Sequence, residues 1–438
     1  MPKRYYIHTM GCQMNERDSE TLAGLLEAAG YAPAAGPAEA DVILLNTCAV
    51  REKPEHKVFS LLGEMAPHQR RGALLGVCGC LAQTAGDQIR ARAPHVDFLL
   101  GPRNYTDLPT ILAKLDYGNT RPIAARAWDR EIPEGLPATR DSGLLASVNI
   151  TYGCDNYCSY CVVPYARGPM RSRAPEEVLN EVRGLLDVGY RQLLLLGQNV
   201  NAYGQDLQTG LDFPELLAKV DQLCTGGQRV RFTTSHPKDV PPSLLAALRD
   251  LPSLCEWLHL PLQAADDTVL TRMGRGYTVQ AYRDIVAEAR ATVPSLALTT
   301  DLMVGFPGET DAQFENTYRA VEEIGFDLAF TFKFSPRPGT AAEKLPDRVP
   351  SPVKQDRLKR LADLISRQAR EINRGQLGEA QEVLVESPDA KSAGYVRGRS
   401  RANKLVIFPG GPELIGQTVA VTAEEAYLWG FRGVRRAG

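Results

Sequence analysis

Three cysteines, Cys154, Cys158 and Cys161, crowd into one short stretch just after a predicted strand. Three thiolates in such a loop can hold three irons of a cubane cluster and leave the fourth iron open to a substrate or cofactor. Zinc is the alternative, but structural zinc takes four ligands, often as two close pairs, and no fourth cysteine follows nearby. A second trio is dispersed: Cys12, Cys48 and Cys80 each fall just past the carboxyl end of a predicted strand. Open α/β sheets bind ligands at that edge, so these three either hold a second cluster or are buried packing residues. Cys78 lies two before Cys80, and a strand returns to the same face every second residue, so spacing does not choose between them. Cys224 and Cys255 read as structural. Nine cysteines is an odd count, and in a reducing compartment they read as ligands or catalytic groups before disulfides.

Other residues could touch a ligand. The stretch Asp301–Thr310 reads DLMVGFPGET. Glycines behind a strand let backbone approach a ligand closely, because no Cβ intervenes. Gly305, Gly308 and Glu309 are therefore candidate cofactor contacts. Gly197 and Gln198 end one predicted strand, and Ser235 and His236 another. They are cofactor or substrate contacts, or ordinary polar loop ends. Far along the chain, Lys391, Arg397, Arg399, Arg401 and Lys404 stand without an acid among them, with Tyr395 in the run. Arginines on a small β barrel can hold phosphates and an aromatic can stack on a base; the plain alternative is a solvated face.

The elements that must position these residues fall into three groups. Residues 1–117 alternate strand and helix: Arg4–Thr9, a helix from about Arg17 to Ala29, then the apolar strands Asp41–Thr47 and Ala73–Val77. Near-continuous apolar strands indicate a Rossmann-like parallel sheet buried on both faces. Residues 118–140, with Pro122, Pro133 and Pro137, read as a linker. Residues 141–372 carry six strand–helix units, the strands being Leu145–Thr151, Gln192–Leu196, Val230–Thr234, Trp257–Leu262, Leu296–Val304 and Leu328–Phe334. Six units indicate a partial parallel barrel, two short of closure. After a basic helix near Pro352–Gln376, residues 373–438 hold short strands at Glu382–Glu386, Lys404–Phe408 and Thr418–Thr422, the mark of a small all-β barrel.

Composition bounds the partners. The chain has 438 residues, 44% hydrophobic and 23% charged, with net charge −2. That excludes a generic polyanion binder but allows a local basic patch. No run of 18 apolar residues exists, so no membrane span or membrane partner is expected. The N-terminus lacks an apolar signal core, and a cytoplasmic location is expected.

The CxxxCxxC loop after the first barrel strand resembles the radical S-adenosylmethionine (SAM) enzymes. The resemblance implies that a [4Fe-4S] cluster on Cys154, Cys158 and Cys161 chelates SAM, whose reductive cleavage yields a 5′-deoxyadenosyl radical. It implies a glycine element at 305–309 along the adenosyl group. Tyr160 then packs near the adenine, or simply in the core. The flanks Gly-Cys-Gln-Met-Asn at 11–15, Asn-Thr-Cys-Ala-Val-Arg-Glu at 46–52 and Gly-Cys-Leu-Ala-Gln at 79–83 resemble the methylthiotransferases within that superfamily. So do Phe232–Pro237, Leu258–Gln263 and Phe334–Thr340, and the match covers nearly the whole chain. This family context favours Cys80 over Cys78 and implies a second [4Fe-4S] cluster on Cys12, Cys48 and Cys80, serving sulfur insertion. No catalytic residue beyond the cluster ligands is implied. The C-terminal segment resembles the TRAM domain, an RNA-binding barrel, which assigns Arg397, Arg399, Arg401 and Lys404 to RNA.

The first two flanks and Val162–Gly168 resemble the branch that converts N(6)-dimethylallyladenosine at tRNA position 37, beside the anticodon, to its 2-methylthio derivative. Two SAM molecules per product, a reducing partner such as flavodoxin or ferredoxin, and a monomer are implied. Pro169–Arg173 departs from the acidic-leaning family stretch, and Ala264-Ala265-Asp266 replaces the usual Ser-Gly-Ser. The rival readings are methylthiolation of a ribosomal-protein aspartate and a non-catalytic iron–sulfur RNA-binding protein. The 46–52 flank argues against the first, and the 305–309 element against the second.

Overall fold

The computed structural model describes residues 1–49, 52–116, 123–127, 132–140, 143–346 and 349–436, with only the backbone of 52–56. Val50 and Arg51 of the 46–52 flank lie outside the described residues.

The first layer is a six-stranded sheet of β1 (Arg4–Thr9), β2 (Ala32–Pro33), β3 (Val42–Thr47), β4 (Leu74–Gly79), β5 (Phe98–Leu100) and β6 (Ile123–Ala125). Its order is β2-β1-β3-β4-β5-β6, parallel throughout. Every residue of β3 and β4 is buried, as apolar strands covered on both faces must be. One face packs Leu22, Leu26, Cys78 and Leu108; the other packs Val58, Leu62, Cys80 and Leu81. The register sets Thr9 beside Asn46 and Thr47 beside Gly79. Three strand ends therefore meet at one edge, and Cys12, Cys48 and Cys80 follow them.

The linker expected over 118–140 is in part a strand, since β6 extends the sheet. Residues 132–140 also pack tightly: Thr139 N donates to Glu20 O, and Glu134 pairs with Arg173 at 2.6 Å. Pro133 and Pro137, which suggest a free linker, instead fit a strap laid over the helix Gln13–Ala28; Pro122 lies outside the described residues.

The second body has β7 (Leu145–Asn149), a two-residue antiparallel pair β8 (Thr151–Tyr152) and β9 (Arg171–Ser172), then β10 (Gln192–Leu196), β11 (Arg229–Thr233), β12 (Trp257–His259), β13 (Ala297–Val304) and β14 (Leu328–Lys333). β7, β10 and β11 form one parallel sheet, and β12, β13 and β14 another. A bridge from Val230 to Leu254 joins them, so six parallel strands run in chain order. Among the described residues β7 and β14 do not pair, leaving the partial barrel the six units imply. Its core includes Leu195, Phe213, Phe232, Tyr282 and Phe326.

The third body is a closed barrel of β15 (Ala380–Pro388), β16 (Tyr395–Ser400), β17 (Leu405–Pro409), β18 (Thr418–Tyr427) and β19 (Gly430–Arg435). Two of these strands, β16 and β19, come from stretches that read only as charge runs, the second being Phe431–Arg436 with its three arginines. The alternation was there: Val396, Gly398 and Ser400 point inward, while Arg397 faces out. The helix Ser351–Arg374 leads into this barrel, which docks on the amino-terminal ends of the parallel strands. Arg229, at the start of β11, donates to Arg399 O and Glu382 O. Among the described residues no helix is long and apolar enough to cross a membrane.

Candidate functional site

The loop after β7 carries Cys154, Cys158 and Cys161 at the carboxyl-terminal mouth of the parallel strands. Its shape is held by backbone: Cys154 N donates to Gly168 O, Cys161 N to Cys158 O and Ser159 N to Met273 O. Cys158 is buried, while Cys154 and Cys161 are half-buried. Arg275 Nη1 donates to Cys158 Sγ at 3.5 Å and Nη2 to Pro261 O at 2.9 Å. Burial pushes the Cys161 thiol up to about 12 and raises Cys154, and the neighbouring Cys158 raises both. A thiol held up this way ionises when a metal takes it.

The mouth is lined with polar groups that have nothing to bind. Gln198 Oε1, Ser235 Oγ, His236 Nε2, Asn199 Oδ1 and Thr151 Oγ1 are buried without a hydrogen-bond partner. Orphaned buried groups are costly and call for an occupant. Gln198 and Ser235 thus fit the reading as ligand contacts. The glycines do so less well. A Cβ at Gly197 would lie 2.1 Å from Thr151 Oγ1, at Gly305 2.4 Å from Lys354 Cγ, and at Gly308 2.6 Å from Arg272 Nη1. The close approach expected of a ligand there is made by the protein's own side chains. Glu309 is likewise engaged internally, accepting from Gly305 N at 2.7 Å and Arg357 Nη1 at 2.8 Å. Tyr160 is half-buried against Met273, Phe306 and Phe334, which brings it to the 305–309 element.

At the N-terminal sheet edge, Cys12 begins the helix Gln13–Ala28 and Cys48 follows β3. Gly11 has φ +135°, and a Cβ there would lie 2.7 Å from Cys48 Cβ, so only glycine lets the two loops close. The Cys12 thiol is lowered to about 6, first by a hydrogen bond with Cys48, then by Arg167 and the amides of Asn15 and Met14. A helix amino terminus stabilises a thiolate in this way. Gly79, at φ +89°, ends β4 and starts a new helix at Cys80. The strand alternation that would leave Cys78 and Cys80 on one face therefore fails: Cys78 packs in one sheet face and Cys80 in the other. Burial raises the Cys80 thiol while Arg167 opposes the rise.

Both trios have the donor chemistry of a three-thiolate cluster site. Among the described residues no three such groups close around a single ion.

The basic run divides in two. Arg397 is exposed, with Nε on Ser387 Oγ at 3.0 Å, and Arg399 is half-buried near Glu386. Arg401 instead turns to the parallel strands and pairs with Glu256 at 2.8 Å and with Leu254 O. Lys404, 6% exposed, pairs with Asp327 at 2.8 Å and Asn373 Oδ1 at 2.7 Å. These two fix the docking of the small barrel and do not face outward. Arg432, read from the sequence only as one of three charges in Phe431–Arg436, lies with its guanidinium over the Tyr395 ring; the stacked pair Tyr427–Trp429, with centroids 4.9 Å apart, was missed.

Three families match in order along the chain: the uncharacterized protein family UPF0004 at residues 4–101, the Radical SAM superfamily at 148–321 and the TRAM domain at 374–433. The tRNA-2-methylthio-N(6)-dimethylallyladenosine synthase of Moorella thermoacetica is 44% identical over 435 residues, covering 98% of each chain. That of Pelotomaculum thermopropionicum is 43% identical and covers 99% of this chain and 97% of its own. The chain belongs to this synthase family. Its membership accounts for the order of the three bodies. In fold alone it is similar to the radical SAM methyltransferase TsrM of Kitasatospora setae, with TM-score 0.60 at 12% identity over 78% of this chain and 74% of that one. The radical SAM enzyme OxsB follows at TM-score 0.54 and 13% identity, covering 83% and 56%. Within the synthase family the sulfur-transferring reaction draws on SAM and [4Fe-4S] clusters.

Proposed function

We propose that the protein converts N(6)-dimethylallyladenosine at position 37 of tRNA to its 2-methylthio derivative, with Cys154, Cys158 and Cys161 holding one cluster and Cys12, Cys48 and Cys80 the other. One observation carries the reading: the two trios are bound to each other through a single segment. Gly168 O accepts from Cys154 N, and the neighbouring Arg167 enters the N-terminal site. When bound, the clusters and SAM supply a hydrogen-abstracting radical at the barrel mouth and a place for sulfur beside it. The chain's own part is to hold these groups, shield them from water and present the base. Gln198, Ser235 and His236 offer unpaired polar atoms to the cofactor or base. Arg397, Arg432 and Tyr395 offer phosphate and base contacts on the small barrel. We place the enzyme in the cytoplasm with its tRNA, as a monomer reduced by a flavodoxin or ferredoxin. The test is nucleoside mass spectrometry of tRNA from a deletion strain. The 2-methylthio nucleoside should vanish, return with the wild-type gene and stay absent with Cys48→Ala. Its persistence in the deletion strain would overturn the assignment.

A further inference from the structure

Arg167 is carried on the barrel body but buried in the N-terminal site. It is 3% exposed. Its Nη2 donates to Asp18 Oδ2 at 2.6 Å and to Asn15 Oδ1 at 3.2 Å, both on the helix that Cys12 begins. The guanidinium is within hydrogen-bonding reach of the Cys80 thiol and faces Cys12 and Tyr105 as well. Its Nη1 is buried with no partner at all. Tyr105 donates to the same Asp18 oxygen at 3.1 Å, which fixes the carboxylate in place. The main chain of this segment is held with equal care. Arg103, from the N-terminal body, donates to Arg167 O at 2.9 Å and Pro169 O at 2.7 Å. On the other side Gly168 O receives Cys154 N at 3.1 Å.

A buried guanidinium is expensive to desolvate, and one carboxylate does not use its five donors. A structural ion pair between two bodies would be satisfied at the rim, as Arg401 and Glu256 are, and would not leave an unpartnered N–H beside the Cys12 and Cys80 thiols. We propose that Arg167 is a positioning residue of the N-terminal cysteine site, setting the charge at that site and, through Gly168, its distance from the Cys154 loop. The inference rests on Cys12, Cys48 and Cys80 being cluster ligands. A positive charge beside a cluster favours its reduced, more negative state, so loss of the charge makes reduction harder. Groups that orient ligands in this manner are worth about 10- to 100-fold in metal affinity or activity.

The test uses full-length protein with Cys154, Cys158 and Cys161 changed to Ala, reconstituted so that only the N-terminal site carries iron. Its reduction potential is measured by titration with spectroscopic readout. Arg167→Gln should move the potential to a more negative value, and Arg167→Lys should restore most of the shift. With all six ligand cysteines intact, Arg167→Gln should still cleave SAM but form methylthio product ~10-fold more slowly or worse. Loss of iron in Arg167→Gln but not in Arg167→Lys also supports the role, since Lys keeps the positive charge that Gln removes. Full iron with an unchanged potential in Arg167→Gln would overturn it, as would loss of iron in both variants. If the parent with Arg167 intact binds no iron, it is the ligand assignment that fails, and that outcome is read before either variant is made.

Discussion

The two cysteine trios solve one problem in opposite ways. The barrel trio lies within one loop, and three hydrogen bonds along that loop shape it. Arg275 donates to the Cys158 sulfur, and Lys238 faces Cys154. The N-terminal trio is gathered from the ends of three strands by parallel register. Its thiols are more deeply buried, and it needs a helix terminus, a glycine at position 11 and an arginine from another body. A local site is made by chain geometry. A distributed site is made by packing, so it is the more easily lost when packing changes.

The largest expected contrast comes from the ligands themselves. Cys158→Ala should abolish both SAM cleavage and methylthio formation. Cys48→Ala should abolish product while sparing 5′-deoxyadenosine formation, because the barrel keeps its three thiolates. Quantifying both products in parallel checks this, and near-normal methylthio formation by Cys48→Ala would return that residue to a packing role.

Next comes the buried pair. Asp18 and Arg167 are each 4% exposed in their side chains. Asp18→Asn leaves the guanidinium without its counter-charge and should cost about 3–5 kcal/mol. Chemical denaturation should show this loss, with N-terminal iron falling while the barrel cluster is retained. Equal loss at both sites would erase the distinction drawn between them.

A smaller effect is set by pH at the barrel mouth. Burial, then Arg275 and Lys238, hold His236 down to about 2. The unfolded chain takes up this proton near its ordinary value of about 6.5, while the folded one does not. His236 therefore costs nothing above that value, and stability is lost as pH falls below it, by at most about 1.4 kcal/mol per unit. His236→Gln should flatten the slope of the unfolding free energy between pH 4 and 6 by about one proton. An unchanged slope would show that the ring protonates in the folded protein.

The smallest effect separates the arginines of the small barrel. Arg397→Ala should weaken tRNA binding evenly across sequences and lower the salt slope by about 1. Arg401→Ala should leave the salt slope alone and loosen the docking on Glu256, seen as faster proteolysis between the second and third bodies. A salt slope lowered equally by both would place Arg401 on the RNA after all.

What could be read from the residue order was whatever the chain does locally. Cys154, Cys158 and Cys161 declare themselves because one loop holds all three. The parallel strands declare themselves because burial on both faces demands apolar runs such as VILLNT and LLGVCG. The strands β16 and β19 were equally local, but arginines on their outer face masked a period of two. Other features depended on contacts between distant parts of the chain. Cys80 is separated from Cys78 by the left-handed conformation of Gly79, which spacing cannot reveal. Lys404 meets Asp327, and Arg401 meets Glu256, only once the small barrel has docked. Gly305 and Gly308 make room for Lys354 and Arg272, which arrive from helices elsewhere in the chain. Arg167 reaches Asp18 across 149 positions. The sequence alone determined which groups could bind iron and which strands would be buried. Tertiary structure decided which charges face those groups, because a side chain's electrostatic neighbours are set by packing between bodies and not by adjacency along the chain.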